Sequence, residues 1–436
     1  MHTLEQLRAG ALQGVQRLQL ACGLTEFPRE IFALADSLEI LDLSGNALTA
    51  LPDDLPRLHK LRIIFCSDNQ FAELPPVLGA CAALSMVGFK ANRIRSVPPV
   101  SLPAQLRWLV LTDNEIEQLP AELGRRPLLQ KLMLAGNRLR SLPPELAGCH
   151  RLELLRIAAN QLTELPGWLP QLPRLTWLAY AGNPFCAGRE QAMAGAPGAA
   201  IAWDQLQLEH KLGEGASGVI YRAIHRHGDI EEQVALKLFK GAMTSDGSPL
   251  CEMAACLVAG DHPNLIPILG QLEGHPSNAH GLVMALIDPE FRNLAGPPSL
   301  DSCTRDIYAA GKRFDVATAR AIAHGIASAA GQLHRRGIMH GDLYGHNILH
   351  CGQGRSLLGD LGAASFYDPA SAQAAQLQRL EVRAFGSLLE ELIERCDTAP
   401  PAGLLQLQAA CVHTDSASRP LFAEVVRQLE TLDNSF

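Results

Sequence analysis

A phosphate-binding loop is indicated by glycines at the spacing G-x-G-x-x-G, namely Gly213, Gly215 and Gly218. They lie between two apolar runs with strand character. This predicts a hairpin and argues against a dinucleotide-binding fold, because there the glycines precede a helix. A hairpin without side chains lets backbone N–H groups approach phosphates closely. Lys237 follows Val234-Ala235-Leu236 on a predicted strand, QVALKLFK, and can project toward the same phosphates.

Further polar residues could complete a site around these groups. Glu252 stands in CEMAACLVAGDHPNLIPILG, which has helical character, and it is the best partner for Lys237, although a single Glu on a helix commonly faces solvent. The stretch GIMHGDLYGHNIL carries Asp342 and Asn347 between an apolar entry and an apolar exit, and Asp360 follows in LLGDLGAASF. Residue types alone leave two interpretations open: an active site, or a turn that carries polar residues.

The order and spacing of these pieces resemble the protein kinases over residues 205–436. The matching pieces are the Gly-rich loop, V-A-L-K ending at Lys237, H-G-D-L-x-x-x-x-N ending at Asn347, and D-L-G from Asp360 where the family has D-F-G. The stretch EVRAFGSLLEEL looks like the long central helix of the large lobe, and SASRPLFAEVVRQLE looks like the terminal helix with its Arg-Pro signature. The resemblance implies a two-lobed α+β protein kinase fold.

The same resemblance implies a role for each residue of the site, with ATP and Mg²⁺ as cofactors. Asp342 would accept or orient the proton of the substrate hydroxyl. Asn347 and Asp360 would hold Mg²⁺ against the ATP phosphates. Lys237, fixed by Glu252, would hold the α- and β-phosphates. The adenine pocket and the entrance to the hinge between the lobes would be formed by four apolar residues: Ile220, Ala235, Leu349 and Met284.

Several positions depart from the kinase pattern. Gly341 replaces the Arg that normally reads a phosphate on the activation segment, and Tyr344 stands where serine/threonine kinases usually carry Lys, so that His346 could supply part of the missing charge. The activation segment is short and lacks A-P-E, which leaves Arg419 in need of another partner. Glu381 replaces the usual Asp of the central helix. Three hydroxyl residues of the short segment are candidates for autophosphorylation: Ser365, Tyr367 and Ser371.

The first half of the chain is a repeat. LEILDLSGNALTALPDDLPRL and LQKLMLAGNRLRSLPPELAGC share the pattern L-x-x-L-x-L-x-x-N-x-L-x-x-L-P. One such unit cannot bury its apolar face alone, so the units are predicted to stack into a curved solenoid. This half resembles the leucine-rich repeat proteins, which implies an α/β solenoid whose concave parallel sheet binds another protein. The Asn recurs at steps of 22 or 23 residues, at Asn46, Asn69, Asn92, Asn114, Asn137, Asn160 and Asn183.

The predicted domains are a leucine-rich repeat solenoid over 1–186, a linker over 187–204 and a protein kinase-like domain over 205–436. The linker is predicted because residues 191–200, QAMAGAPGAA, are rich in small residues. Large apolar side chains at outward positions of the repeat strands suggest a contact surface for an external partner or for the chain's own second half. The partner-binding candidates are Phe65, Trp108, Met133 and Trp177.

Composition excludes several other classes of protein. The net charge of −8 argues against a nucleic-acid binder. No apolar run is long enough for a membrane span, and the N-terminal residues do not resemble a secretory signal. The 11 cysteines are scattered, without a disulfide framework or a paired metal pattern, which fits a reducing cytosol. A cytoplasmic protein is therefore expected.

The sequence thus predicts an ATP- and Mg²⁺-dependent protein kinase acting on Ser or Thr, with repeats that recruit a partner or regulate activity. Its composition would suit a bacterial kinase of eukaryotic type. The alternative is a pseudokinase scaffold, in which the repeats bind a partner and the kinase fold is nucleotide-controlled or inactive.

Overall fold

A computed structural model describes residues 2–194, 199–215, 217–240, 244, 247 and 249–432. The chain forms two compact units, the first ending at Arg174 and the second running from Leu175 to the C-terminus. The repeat pattern itself continues past this division. None of the described helices is both long and apolar enough to cross a membrane.

The first unit is a solenoid built on a parallel sheet, as the repeats predict. Its central strand positions pair in register from one coil to the next, as in Leu18 with Leu41 and Leu109 with Leu132, and these leucines are fully buried. Short 3-10 turns rather than long helices lead back between the strands. Its elements are α1 (Leu4–Arg8), β1 (Arg17–Gln19), β2 (Ile40–Asp42), β3 (Ile63–Phe65), β4 (Met86–Gly88), β5 (Trp108–Val110), β6 (Lys131–Met133) and β7 (Leu154–Arg156).

The recurring asparagine ties neighbouring coils together. The side chain of Asn137 donates from Nδ2 to the carbonyls of Leu111 and Leu134, each at 2.9 Å, and its Oδ1 accepts from the backbone N–H of Ile116 at 3.1 Å. The turn leaves these backbone groups without a partner in a sheet, and burial makes such a group costly unless it is bonded. The fixed repeat of Asn in the sequence therefore follows from the repeat of these buried groups.

The second unit contains a small, mostly antiparallel sheet of six strands, in the order β10 (Leu206–Glu214), β11 (Gly218–His227), β12 (Ile230–Phe239), β14 (Gly281–Ala285), β13 (Ile268–Glu273) and β9 (Ala200–Ala202). Its apolar face forms one core that includes Ala223, Val234, Leu236 and Val283. The elements of this lobe and of the segment before it are β8 (Trp177–Ala179), α2 (Ala187–Ala194), β9 (Ala200–Ala202), β10 (Leu206–Glu214), β11 (Gly218–His227), β12 (Ile230–Phe239), α3 (Pro249–Ala259), β13 (Ile268–Glu273) and β14 (Gly281–Ala285).

The rest of the second unit is mainly helical and forms the larger lobe. Two long helices, α4 (Val316–Arg335) and α5 (Ala374–Ile393), pack together. The helix α7 (Phe422–Thr431) lies against α4, and its Phe422 is in edge contact with Phe385 of α5. This is the two-lobed fold that the sequence predicts. Its elements are β15 (Arg292–Asn293), α4 (Val316–Arg335), β16 (Ile338–Met339), β17 (Ile348–His350), β18 (Ser356–Leu358), β19 (Ser365–Phe366), α5 (Ala374–Ile393), α6 (Ala402–Cys411) and α7 (Phe422–Thr431).

The segment predicted as a linker, residues 187–204, contains regular structure. It includes α2 and then β9, which pairs in parallel with β13 through Ile201 and Leu272 and so extends the small-lobe sheet. Ile201 is buried in the core of that sheet. Trp203 packs against the same core, and the small residues around these two apolar residues concealed this role in the sequence. Residues 195–198 of the predicted linker lie outside the described residues.

Candidate active site

Lys237 and Glu252 form a buried ion pair, as the sequence interpretation requires. Lys237 lies in β12 and its Nζ donates to Oε1 of Glu252 in α3. The side chains are 12% and 3% exposed, so Glu252 does not face solvent. Burial lowers the pKa of Lys237, but the carboxylates of Glu252 and Asp360 outweigh it and raise that pKa above its usual value. Lys237 is therefore a fixed cation in the site.

The glycine-rich hairpin connects β10 and β11, and it closes with a hydrogen bond from the N–H of Gly215 to the carbonyl of Gly218 at 2.9 Å. A Cβ at Gly218 would lie 2.6 Å from the carbonyl oxygen of Leu238 in β12, so close backbone approach requires glycine there. At Gly213 and Gly215 an added Cβ would meet no other atom within 4 Å. The packing of the described residues therefore does not explain these two glycines, which leave the hairpin backbone open to close approach.

Asp342 and Asn347 are held together in the loop between β16 and β17. The Nδ2 group of Asn347 donates to the backbone carbonyl and to Oδ2 of Asp342, both at 2.8 Å. These two bonds orient the amide, which leaves its oxygen as the atom that can bind a cation. The 340–347 loop, meaning residues His340 to Asn347, is thus an ordered structure rather than a polar turn exposed to solvent.

Asp360 follows β18 and stands beside this loop. The N–H of Gly359 donates to the carbonyl of Asn347 at 2.9 Å. The carbonyl oxygen of Gly359 itself lies 2.8 Å from Nε2 of the buried His340. Asp360 has φ of +53°, in the left-handed region that non-glycine residues rarely adopt. Its Oδ1 accepts from the N–H of Gly362 at 3.2 Å. Strain of this kind is retained mainly where function needs the geometry.

Two of the four residues predicted for the adenine pocket and the hinge line a cleft between the lobes, and the roles of all four stay predictions. Ile220 and Met284 line it together with Lys237 and Asp360. Ala235 and Leu349 are absent from its lining among the described residues. Ala235 is buried within the sheet and Leu349 pairs with Leu357 in the β17–β18 hairpin, while the enclosed space extends toward α3. Sequence reasoning missed several lining residues, among them Cys256, Ile266, Leu282 and Leu358.

Glu381 anchors the 340–347 loop from α5. Its Oε2 accepts from the N–H of His340 at 3.1 Å and its Oε1 from the N–H of Gly341 at 2.7 Å, while Nε2 of His334 lies 2.7 Å from Oε2. Burial would raise the pKa of Glu381, but the hydrogen bond and charge of His334 lower it below its usual value. The carboxylate therefore stabilises the fold above the ordinary pKa of glutamate, and this contribution is lost as the pH falls through the lowered pKa.

His346 places an imidazole close to Asp342. Its Nδ1 lies 2.7 Å from Oδ1 of Asp306, and its Nε2 lies 3.9 Å from Oδ2 of Asp342. Burial lowers the pKa of His346, but the hydrogen bond and charge of Asp306 outweigh it and raise that pKa. The sequence suggested His346 as a substitute for the missing Lys. It did not predict Asp306 as the partner of His346, because Asp306 lies in an irregular stretch far from the loop in sequence.

Arg419 finds its partners in the backbone. Its Nε donates to the carbonyl of His413 at 2.8 Å and its Nη1 to that of Arg379 at 3.2 Å. Burial, and then the charge of Arg383, lower the pKa of Arg419 to about 10. Carbonyl oxygens thus accept from this guanidinium in the absence of an A-P-E glutamate.

Two of the three candidate phosphorylation sites are inaccessible. Ser365 is fully buried and Tyr367 is 5% exposed, with its hydroxyl donating to the carbonyl of His334 at 2.9 Å. Ser371 is exposed. In this structure a kinase could reach only Ser371 of the three.

The partner-binding candidates fall into two groups. Phe65, Trp108 and Met133 are half-buried on the solenoid strands, and the Nζ of Lys131 lies 4.2 Å from the centre of the Trp108 ring. Trp177 is only 2% exposed and its ring stacks on that of Tyr344 within the second unit. An external partner could therefore reach the first three residues, whereas Trp177 is already covered.

A buried carboxyl near this site gives a testable dependence of stability on pH. Burial, and then the charge of Asp306, raise the pKa of Glu391 to about 7, against the opposing charge of Arg305. The folded chain then binds this proton more tightly than the unfolded chain, so stability falls as the pH rises from about 4.5 to about 7. The Glu391→Gln variant cannot lose a proton. We expect its stability relative to the wild type to rise by about 2.5 kcal/mol between about pH 5 and pH 8.

Calorimetric unfolding of both proteins at the two pH values measures this difference. Glu390→Gln is the matched control on the same helix, because Glu390 is 41% exposed and its pair with Arg305 is largely solvated. A difference between wild type and Glu391→Gln that does not change with pH would contradict the prediction.

Comparison with known protein families agrees with this geometry. Residues 206–382 match the family model described as protein kinase domain, and residues 127–185 and 37–58 match models described as leucine rich repeat. The chain therefore carries leucine-rich repeats and a protein kinase domain. The family match ends within α5, so the last part of the large lobe lies beyond it.

Curated relatives match parts of the chain. A probable cyclin-dependent serine/threonine-protein kinase of Dictyostelium discoideum is 24% identical over 42% of this chain and 26% of its own length. A probable inactive serine/threonine-protein kinase of the same organism is 32% identical over 24% of this chain and 4% of its own length. Human leucine-rich repeat-containing protein 58 is 34% identical over 21% of this chain and 26% of its own length. The chain thus spans about a quarter or less of these relatives.

Proposed function

We propose that the chain is a cytoplasmic, ATP-dependent protein kinase that transfers the γ-phosphate of ATP to Ser or Thr hydroxyls. The observation that carries this proposal is the connected arrangement of its polar side chains. Lys237 bonds Glu252, Asn347 bonds Asp342, and the cleft lined by Lys237 is also lined by Asp360. A cation and carboxylates lining one cleft, with the bonded pair of Asp342 and Asn347 in the loop that Gly359 joins to Asp360, suit phosphoryl transfer, which depends on positioning and on neutralising negative charge.

The donor set fits Mg²⁺. A carboxylate from Asp360 and the amide oxygen of Asn347 are the hard oxygen ligands that this ion takes, and it commonly uses one or two of them beside substrate phosphates. Bound there, Mg²⁺ would neutralise the charge that develops on the phosphate oxygens. Among the described residues no cluster of three or more His, Cys, Asp or Glu side chains forms a separate metal site.

Each residue of the chain then has a defined task. Lys237 holds the α- and β-phosphates and is kept in place by Glu252. The glycine-rich hairpin covers the phosphates with backbone N–H groups. Asp342 receives the proton of the attacking hydroxyl, and the Asn347 amide fixes the carboxylate that does so. The imidazole of His346, 3.9 Å from Asp342, stands in for the Lys that the sequence lacks.

The second candidate is a pseudokinase scaffold, and one observation favours it. Tyr344 occupies the position of the usual Lys and is 5% exposed, so this position offers no cation to a transferred phosphoryl group. In this case the solenoid would carry the function, by binding a protein through the face that includes Phe65, Trp108 and Met133. In the enzyme, the same face would recruit a substrate or regulator or meet the kinase domain.

Transfer from labelled ATP separates the two candidates. The full-length chain is incubated with γ-³²P-ATP and Mg²⁺, alone and with a protein substrate mixture, and the labelled amino acids are identified. We expect label on Ser or Thr, and a loss of at least about 100-fold in Asp342→Asn, because a positioned general base contributes about 10²- to 10⁴-fold. Asp397→Asn, at an exposed position in the large lobe, is the matched control and should keep wild-type transfer.

Binding is measured on the same proteins by titration calorimetry with Mg-ATP. A catalytic role for Asp342 predicts that Asp342→Asn still binds the nucleotide. Wild-type protein that binds Mg-ATP without transferring phosphate would support the scaffold. Label on Tyr alone would contradict the proposed Ser/Thr specificity.

A further inference from the structure

The departures from the kinase pattern lie around one short strand of the second unit. That strand is β8, Trp177–Ala179, whose sequence continues the leucine-rich repeat pattern. Three of these departures have no evident connection in the sequence: Gly341, Tyr344 and the short segment after Asp360. In the structure each of them contacts β8 or the residue that follows it.

Trp177 holds the 340–347 loop through two contacts. Its indole N–H donates to the carbonyl of Leu343 at 3.0 Å, and its ring stacks on that of Tyr344 with centres 4.1 Å apart and an angle of 7° between the planes. Tyr344 in turn lies with its ring centre 5.0 Å from that of His346. Since His346 is next to Asp342, a continuous set of contacts runs from β8 to the proposed general base.

The backbone of β8 also lies close to Gly341, the residue that replaces the Arg that normally binds a phosphate of the activation segment. Gly341 has φ of +74°, and a Cβ placed there would lie 2.4 Å from the carbonyl oxygen of Ala363 and 2.9 Å from that of Leu178 in β8. Both obstacles are backbone atoms, which cannot move aside as a flexible side chain could. A side chain of any size is therefore excluded, and an Arg at this position could not coexist with Ala363 and β8 as they are placed here.

The short activation segment is tied to the residue after β8. The backbone N–H of Tyr180 donates to Oγ of Ser365 at 2.9 Å, and the Tyr180 hydroxyl donates to the carbonyl of Phe366 at 3.4 Å. Ser365 and Phe366 form β19, which pairs with β16 immediately before the 340–347 loop. The segment Trp177–Tyr180 therefore contacts both the 340–347 loop and the short activation segment.

We propose that β8 and Tyr180 form a built-in anchor that positions the 340–347 loop and the short activation segment without phosphorylation. Phospho-activated kinases obtain this order from a new charge pair between a phosphate and an Arg. Here the order comes from an indole, a tyrosine and backbone hydrogen bonds that are always present. Trp177 and Tyr180 are thus positioning residues, and this inference rests on the proposed kinase activity.

The test uses the full-length chain and three variants. Trp177→Ala removes both contacts, Trp177→Phe keeps an aromatic ring but lacks the indole donor, and Trp168→Ala makes the same truncation at a half-buried tryptophan of the first unit. Amide hydrogen exchange of residues 338–349 reports the order of the loop without any turnover. Steady-state kinetics report kcat and the KM for ATP.

We expect the 338–349 amides of Trp177→Ala to exchange at least about 10-fold faster and kcat to fall by about 10- to 100-fold, because small misplacements of a positioned base are that costly. The KM for ATP should change little, since the two contacts that Trp177→Ala removes are with Leu343 and Tyr344 and not with Lys237 or the glycine hairpin. Trp177→Phe should recover part of both losses, and Trp168→Ala should match the wild type. Wild-type protein treated with a phosphatase should keep its kcat.

Three results would overturn the anchor. One is wild-type loop protection and kcat in folded Trp177→Ala; another is a loss of kcat in phosphatase-treated wild type. The third is a Trp177→Phe variant that behaves as wild type while Trp177→Ala is unfolded, since that would leave only a packing role for the ring. If the wild type shows no transfer at all, the proposed function fails, and the exchange of residues 338–349 still decides whether β8 orders the loop.

Discussion

A Lys237→Met chain is expected to lose both phosphotransfer and stability, whereas a Lys237→Met/Glu252→Leu chain recovers stability alone. The loss of transfer should reach at least about 100-fold, because Lys237 is the cation that we propose holds the phosphates. The loss of stability should be about 3 kcal/mol, since removal of one partner leaves a charge that is 3% exposed without compensation. The second substitution removes that buried charge and replaces it with an apolar side chain.

The two effects are separated by measuring transfer from labelled ATP and urea unfolding on the same preparations. Without Lys237, Glu252 can relieve part of the cost by taking up a proton, so the stability loss of the single variant should grow as the pH rises. Lys60→Met, at an exposed lysine of the solenoid, is the control for both measurements. Substantial transfer by the double variant would show that Lys237 is not part of the active site.

Glu381→Ala is expected to destabilise the second unit by about 3 to 5 kcal/mol. The substitution removes the common acceptor of the His340 and Gly341 amides and leaves His334 without its carboxylate. These groups are buried, and each donor without an acceptor costs about 1 to 3 kcal/mol. Glu381→Asp should recover part of the loss, because it restores the carboxylate on an arm that is one methylene shorter.

Urea unfolding of the Glu381 variants measures this cost. Glu390→Ala, on the same helix, is the matched control, and its exposed ion pair should contribute no more than about 1 kcal/mol. Loss of the Glu381 carboxylate should also increase the rate of hydrogen exchange of the His340 and Gly341 amides. A folded Glu381→Ala protein with wild-type stability would mean that other groups hold the loop.

The sequence alone determined the class of both units. The 22- or 23-residue step of Asn and Leu requires the same buried bonds in each coil, and a periodic constraint of this kind can be read without coordinates. The kinase domain could also be predicted from the sequence, because its motif residues stand at short fixed offsets within single loops and strands. Asp342 and Asn347 are an example: five residues apart in sequence, they are hydrogen-bonded in the structure.

The tertiary structure decided the partners of residues that meet across the chain. Trp177 and Leu343 are 166 positions apart, and no spacing rule could join them. The same holds for Asp306 with His346 and for Glu381 with the amides of the 340–347 loop. The cleft lining is a related case: Cys256 and Ile266 join Lys237 there, and a residue's place in the sequence does not reveal how deep a cleft extends.

The local arrangement of side chains can be predicted from the sequence because the backbone fixes the spacing of neighbouring residues. Long-range contacts depend on how whole elements pack, and many sequences satisfy the same packing. That difference explains why Gly341 and Tyr344 looked like defects of a kinase in the sequence and are accommodated by β8 in the folded chain.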